Sequence, residues 1–175
     1  TFEENFQGHL CKDSLTEENV CRQGHALLDE FVAEWMSEQP EALETDLMLT
    51  RAVGEHHFRA TAELVFEGEE ADRMLVRLNS SRRPPTKNEL AEDLSALLLH
   101  LLAREHYAPR SVQVCYYCLR PGRLQPVEVS HEGLEKLKND LQSRVSRIER
   151  ERKFPARPYK HCRWCRARGV CEAWK

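Results

Sequence analysis

Three cysteines crowd the end of the sequence, in Cys162-Arg163-Trp164-Cys165-Arg166-Ala167-Arg168-Gly169-Val170-Cys171. Set among arginines and a tryptophan, they are poor material for a hydrophobic core and good material for a metal. A thiolate is a soft ligand suited to zinc or to an iron–sulfur cluster, and two cysteines separated by two residues grip one centre from a single tight loop. Three thiolates leave one ligand to come from elsewhere, so the tail reads as a clip onto a distant part of the chain. The cysteine count points the same way. Seven is odd, which argues against a secreted disulfide framework and fits a reducing cytoplasm with a metal site.

The elements that must position this clip come from a chain of 175 residues, 41% hydrophobic, read as one globular domain over 1–175. It begins with Thr1 rather than Met, as a fragment of a larger protein would. No apolar run approaches membrane-spanning length, and the N-terminus lacks the charged-then-apolar pattern of a signal peptide, so the expectation is a cytoplasmic or nucleoid-associated protein that is not secreted. The net charge of −3 hides an asymmetry. Residues 1–75 carry 5 Lys and Arg against 18 Asp and Glu, and residues 76–175 carry 21 against 11. A basic C-terminal half points toward nucleic acid or an acidic partner, although solvated charged helices give the same counts.

Residues 16–37 read as a helix capped by Thr16, with Ala26, Leu28, Phe31, Val32, Trp35 and Met36 as its apolar stripe and His25 beside that stripe. From Thr45 to Asn79 the pattern alternates, most clearly at Phe58, Ala60, Ala62, Leu64 and Phe66 and again at Met74, Val76 and Leu78. This predicts three strands in an antiparallel meander, with Glu63, Arg77 and Asn79 as polar positions near strand ends. A loop with Pro84 and Pro85 follows. Thr86-Lys87-Asn88-Glu89 is then a capping box opening a helix to about Tyr107, with Leu90, Leu94, Leu97, Leu98, Leu101 and Leu102 buried. Residues 111–119 predict a further strand, Pro121-Gly122 a turn, and Val127–Val129 a short strand. Cys115 and Cys118 share the two-residue spacing but face opposite sides of a strand, so they read as buried cysteines. Ser130 caps a last helix to about Lys153, with a stripe of Leu134, Leu137, Leu141, Val145 and Ile148 and a basic face of Arg144, Arg147, Arg150, Arg152 and Lys153.

This order, with a terminal C-x2-C-x5-C after a Phe-Pro lead-in, resembles the RecB-like PD-(D/E)XK nucleases of the iron–sulfur type. Relatives of that kind are the nuclease domain of AddAB-type helicase–nucleases and the CRISPR-adaptation exonucleases. The resemblance implies an α/β (α+β) fold, a restriction-endonuclease-like central mixed β-sheet flanked by helices. It also implies a [4Fe–4S] cluster held by Cys162, Cys165, Cys171 and one cysteine near the N-terminus. Cys11 is the favoured fourth ligand, with Cys21 as the alternative, because Cys21 precedes His25 by only four residues on the same helix. The spacing alone also permits zinc.

The resemblance further implies a divalent-metal site built from a first-helix histidine, a strand-end aspartate and a D/E-x-K on the next strand. His25 matches the first, and Glu63 stands at the second as a longer carboxylate. Arg77 stands at the acid and Asn79 at the lysine, while Ser95 and Leu99 occupy the positions of a helical glutamine and tyrosine. These departures matter physically. An arginine in place of a ligand carboxylate puts like charges a few ångströms apart, at a cost on the order of several kcal/mol, so Mg²⁺ is repelled rather than bound. Asn79 cannot act as a cationic lysine that orients water.

The expectation is therefore a catalytically inactive, cluster-stapled domain that binds or guides DNA, single-stranded by preference. It would do so within a repair, recombination or helicase assembly, with Arg77, Arg82, Arg83 and Lys87 on the phosphates. One alternative is an active Mg²⁺- or Mn²⁺-dependent DNA exonuclease with migrated residues, Lys87 or Glu89 substituting from the neighbouring helix. Another is a zinc-stapled protein-interaction domain.

Overall fold

The computed structural model describes residues 13–39, 41–153 and 155–174. The chain divides into two compact units, Thr1–Lys138 and Asn139–Lys175. Among the described residues no helix is long and apolar enough to cross a membrane.

Helix α1 (Ser14–Glu30) starts one turn earlier than its pattern predicts. Asp13 rather than Thr16 is the cap, its Oδ1 accepting from the Thr16 N–H at 2.7 Å. A carboxylate serves well there, because it meets both an orphan N–H and the positive end of the helix dipole. None of the residues of α1 is buried. The anchor comes after it, where the helix widens into a π turn (Phe31–Trp35) and tightens into a 3₁₀ turn (Met36–Glu38). The wide turn changes the helical phase. Phe31 and Trp35 stack at 5.4 Å and both reach Tyr117, while Val32, predicted to lie in the stripe, is 58% exposed.

The strands β1 (Glu44–Val53), β2 (His56–Phe66), β3 (Arg73–Asn79), β4 (Val112–Cys118) and β5 (Arg123–Pro126) form one sheet in sequence order. The first three are antiparallel, as their alternation predicts, and β4 joins β3 in parallel. A parallel neighbour requires a crossover. Here α2 (Lys87–Ala91) and α3 (Leu94–Tyr107) supply it. The Thr86–Glu89 capping box forms, but the predicted single helix is broken at Glu92 and Asp93. Asp93 caps α3 by accepting from the Ala96 N–H at 2.8 Å. The break rotates the leucine pattern: Leu99, Leu101 and Leu102 are buried, whereas Leu94 is 40% exposed.

Two layers of core result. On one sheet face Phe66, Val76, Cys115, Tyr117 and Leu119 pack with Phe31. On the other, α3 packs on β1, β2 and β4 over Val65, Leu75 and Val114. Cys115 and Cys118 lie on opposite faces and are both buried. Burial pushes the Cys115 thiol up to about 12 and raises that of Cys118 as well, which leaves both as packed thiols. The last strand, β5, precedes the predicted Val127–Val129. The turn at Gly122, φ 57°, starts the return strand early, and of the predicted residues Val127 continues its bonding, the N–H donating to the Val114 carbonyl at 2.8 Å.

Helix α4 (His131–Arg150) follows, the Ser130 Oγ accepting from the Gly133 N–H at 3.1 Å. It ends three residues before the predicted Lys153, because the Glu151 carboxylate draws the Arg152 and Lys153 N–H groups out of the helical pattern. Leu134, Leu137 and Leu141 are buried, but Ile148 is 62% exposed, so the apolar stripe stops short of the helix end. Beyond it, 3₁₀ turns at Lys160–Trp164, Arg168–Val170 and Glu172–Trp174 carry the cysteines.

Candidate functional site

Glu63, Arg77 and Asn79 share the sheet face that α3 covers. The β2–β3 register pairs Leu64 with Val76 and Val65 with Leu75, so one further step sets Glu63 beside Arg77. There the Glu63 Oε2 accepts from the Leu78 N–H at 3.2 Å. The Asn79 Oδ1 accepts from the Ser81 N–H at 2.8 Å, a turn contact that closes the end of β3. Its amide is thus tied to its own chain.

Arg77 is half-buried in the middle of this face. The parallel register sets it against Tyr116, whose hydroxyl accepts from Arg77 Nη1 at 3.3 Å, and the guanidinium carbon lies 5.6 Å from the ring centroid. The Tyr116 hydroxyl donates onward to the Asp93 Oδ1 at 3.3 Å. Burial pushes Tyr116 up to about 12, with Arg77 pulling its pKa down and Asp93 pushing it up. The hydroxyl is therefore a neutral relay between a cation and an anion. The Arg77 Nε is buried and has no hydrogen-bond partner among the described residues. An unpaired buried donor is costly.

This geometry does not fit Mg²⁺. A hard divalent ion needs converging oxygens. The nearby carboxylate of Glu63 serves a backbone amide, that of Asp93 serves the α3 cap and Tyr116, and a guanidinium stands between the strands. Among the described residues no group of three or more His, Cys, Asp and Glu side chains is arranged to hold a metal ion. His25 lines a groove along α1 with Ser14, Glu17, Glu18, Cys21 and Arg22, a groove that includes neither Glu63 nor Arg77. Of the two helical positions after the strand, Ser95 is exposed and Leu99 is wholly buried in the core.

The other predicted cations are mostly engaged. Arg83 pairs with Glu89, and Lys87 pairs with Glu128 at 3.0 Å. Glu89 is fixed twice over, since it also accepts from the Thr86 N–H in the capping box. That hydrogen bond leads the causes holding its carboxyl below the usual range. Arg82 is exposed on the loop between β3 and α2. Tyr116 and Asp93 are the site residues that sequence reading misses. The only signal for them was their type: a tyrosine alternating inward on β4 and an aspartate before Leu-Ser-Ala.

In the second unit, Cys162 and Cys171 line one small cavity of about 40 Å³ with Ala156, Pro158 and Trp174, while Cys165 is exposed. The Tyr159 N–H donates to the Cys162 Sγ at 3.2 Å. The donor set suits a soft metal chemically, but the three thiols do not converge on one point here. Cys11 lies outside the described residues, and Cys21 lies on α1.

Residues 79–172 match the family model of the PD-(D/E)XK nuclease superfamily. No curated protein matches the chain. Among solved structures, the chain is similar to a protein of Eubacterium rectale described as a candidate exonuclease, at 8% identity and a TM-score of 0.50. The likeness covers 83% of this chain and 65% of that one, so the chain spans just under two thirds of that protein's length. A second structure, of SSO0001, aligns at 13% identity with a TM-score of 0.45, over 90% of this chain and 72% of that one. A mixed five-stranded sheet flanked by helices and a family match over more than half of the sequence agree, and the chain belongs to the PD-(D/E)XK nuclease superfamily.

Proposed function

We propose that this chain is a nuclease-superfamily domain that binds DNA, single-stranded by preference, without hydrolysing it. Arg77 carries the reading. It brings a permanent positive charge to the strand position where the family motif has a metal-binding acid, and its buried Nε is an unused donor suited to an anionic oxygen. A guanidinium can hold a phosphodiester as a metal ion would. It does not lower the pKa of a bound water as a divalent ion does, so the metal activation of the attacking water is lost. The migrated-residue alternative is weakened by the contacts of its two candidates, because Lys87 is paired to Glu128 and Glu89 to Arg83 and the Thr86 amide.

The tail belongs to the same proposal as a structural staple. Cys162, Cys165 and Cys171, with Cys11 as the fourth ligand, would hold a [4Fe–4S] cluster, zinc being the alternative. Thiolate sites commonly assemble only as the metal binds, so a loop that has not gathered its three thiols is compatible with that role. Such a domain suits a helicase or repair assembly, in which a strand is guided while another component acts on it.

Titration of a labelled single-stranded oligonucleotide, with Mg²⁺ and then with a chelator, tests the reading. Equal affinity in both conditions is the expected result. Binding that requires the divalent ion would overturn the replacement of metal by arginine.

A further inference from the structure

The charge asymmetry of the sequence resolves, in the structure, onto the two units. Residues 1–138 carry 15 Lys and Arg against 25 Asp and Glu, whereas residues 139–175 carry 11 against 4. The unit holding the nuclease face is thus acidic, and its basic residues are largely engaged at home. Arg77, Arg83 and Lys87 each hold an intramolecular partner. The small second unit differs. All ten of its described Lys and Arg side chains are exposed. Among these, Arg147 and Arg150 make no side-chain hydrogen bond or ion pair with a described residue.

These two arginines, one helical turn apart on α4, flank a surface groove with Ser143, Ser146 and Glu151. Two aromatic rings of the same unit are open to solvent. Tyr159 is 61% exposed and carries the Lys160 ammonium 5.5 Å from its centroid, and Trp174 is 37% exposed and carries the Arg168 guanidinium at 4.9 Å. Cations beside exposed rings are the combination that tracks a phosphate backbone while stacking bases.

We infer that the second unit is the nucleic-acid contact surface that supplies most of the affinity. Arg147 and Arg150 would meet phosphates along α4, and Tyr159 and Trp174 would offer stacking faces for unpaired bases. The inference rests on the DNA-binding reading above and relocates its energy, from the loop of Arg82, Arg83 and Lys87 to the C-terminal 37 residues. Charge complementarity selects the partner, since a polyanion is drawn to this unit and repelled by the rest.

The test is binding of a single-stranded oligonucleotide to the full chain across a salt series, for wild type, Arg147→Gln/Arg150→Gln, Tyr159→Ala/Trp174→Ala and Arg82→Gln/Arg83→Gln. The double arginine variant on α4 should weaken binding about tenfold at low salt and reduce the slope of log K against log salt by about 1.4, the single-strand value for two phosphates. The aromatic pair should cost roughly tenfold with little change in slope, as lost stacking does. Arg82→Gln/Arg83→Gln should change affinity by less than about threefold. Circular dichroism confirms that each variant folds. If the wild type binds but the α4 and aromatic variants bind equally well, this surface is wrong while the DNA-binding reading stands. If the wild type shows no salt-sensitive binding at all, the DNA-binding reading itself fails.

Discussion

Replacing Arg77 by methionine separates a residue kept for a ligand from one kept for the fold. The substitution retains most of the aliphatic length and removes the charge. Two contacts are lost: the 3.3 Å hydrogen bond to Tyr116, worth about 1 kcal/mol net, and a cation–π contact at 5.6 Å, worth about 0.5–1 kcal/mol. One penalty is relieved, the buried Nε without a partner, at about 1–3 kcal/mol. The sum runs from about 1 kcal/mol unfavourable to about 1.5 kcal/mol favourable, so Arg77→Met should lie within about 1.5 kcal/mol of wild type. For a chain of this size that is a shift in Tm of about 3–6 °C at most. Urea unfolding followed by tryptophan fluorescence reads the difference. In parallel, single-strand affinity should fall about fivefold, the equivalent of one lost contact of about 1 kcal/mol. A loss of stability beyond about 2 kcal/mol would refute the reasoning, because Arg77 would then be a structural cross-link between β3 and β4 rather than a donor held in wait.

Other substitutions probe the surrounding structure. Asp93→Ala removes both the α3 cap and the anionic end of the Tyr116 relay, and should cost about 1–2 kcal/mol in chemical denaturation, while Asp93→Ser should recover most of the cap. His100 lies half-buried on α3, and burial, with Arg104 adding to it, lowers its pKa. The unfolded chain therefore takes up the proton first, so stability that is complete above about pH 6.5 is lost as the pH falls through that value. His100→Leu should flatten that decline in unfolding measured between about pH 7.5 and about pH 5.5. For the tail, Cys162→Ala, Cys165→Ala and Cys171→Ala should each lower bound iron, read by metal analysis and by loss of visible absorption, while Cys115→Ala and Cys118→Ala should retain it. Zinc in place of iron would favour the alternative metal.

Much of the fold is legible because single residues announce it locally. The Thr86–Glu89 capping box forms, and the alternation through β2 and β3 correctly predicts an antiparallel meander. What eluded sequence reading depends on contacts far apart in the chain. Arg77 and Tyr116 are 39 residues apart and meet only because β4 pairs with β3 in parallel, a register that alternation cannot reveal. The helix break at Asp93 was hidden by leucines that continue on both sides of it, so the periodic signal overrode a cap that a single side chain creates. The departures at Arg77 and Asn79 were visible as residue types. What they do, the one reaching Tyr116 and the other closing its own turn, required the sheet. The charge imbalance is equally visible, but the gathering of most of the basic excess, +7 of the +10 in residues 76–175, in a 37-residue unit is not.

The central claim is that a cation has taken the place of the metal on the nuclease face, and hydrolysis is its most direct test. The full chain, loaded with iron, is incubated with end-labelled single-stranded DNA and Mg²⁺ or Mn²⁺, beside Glu63→Ala. The account predicts intact DNA in every lane. Metal-dependent shortening by the wild type that disappears with Glu63→Ala would contradict it.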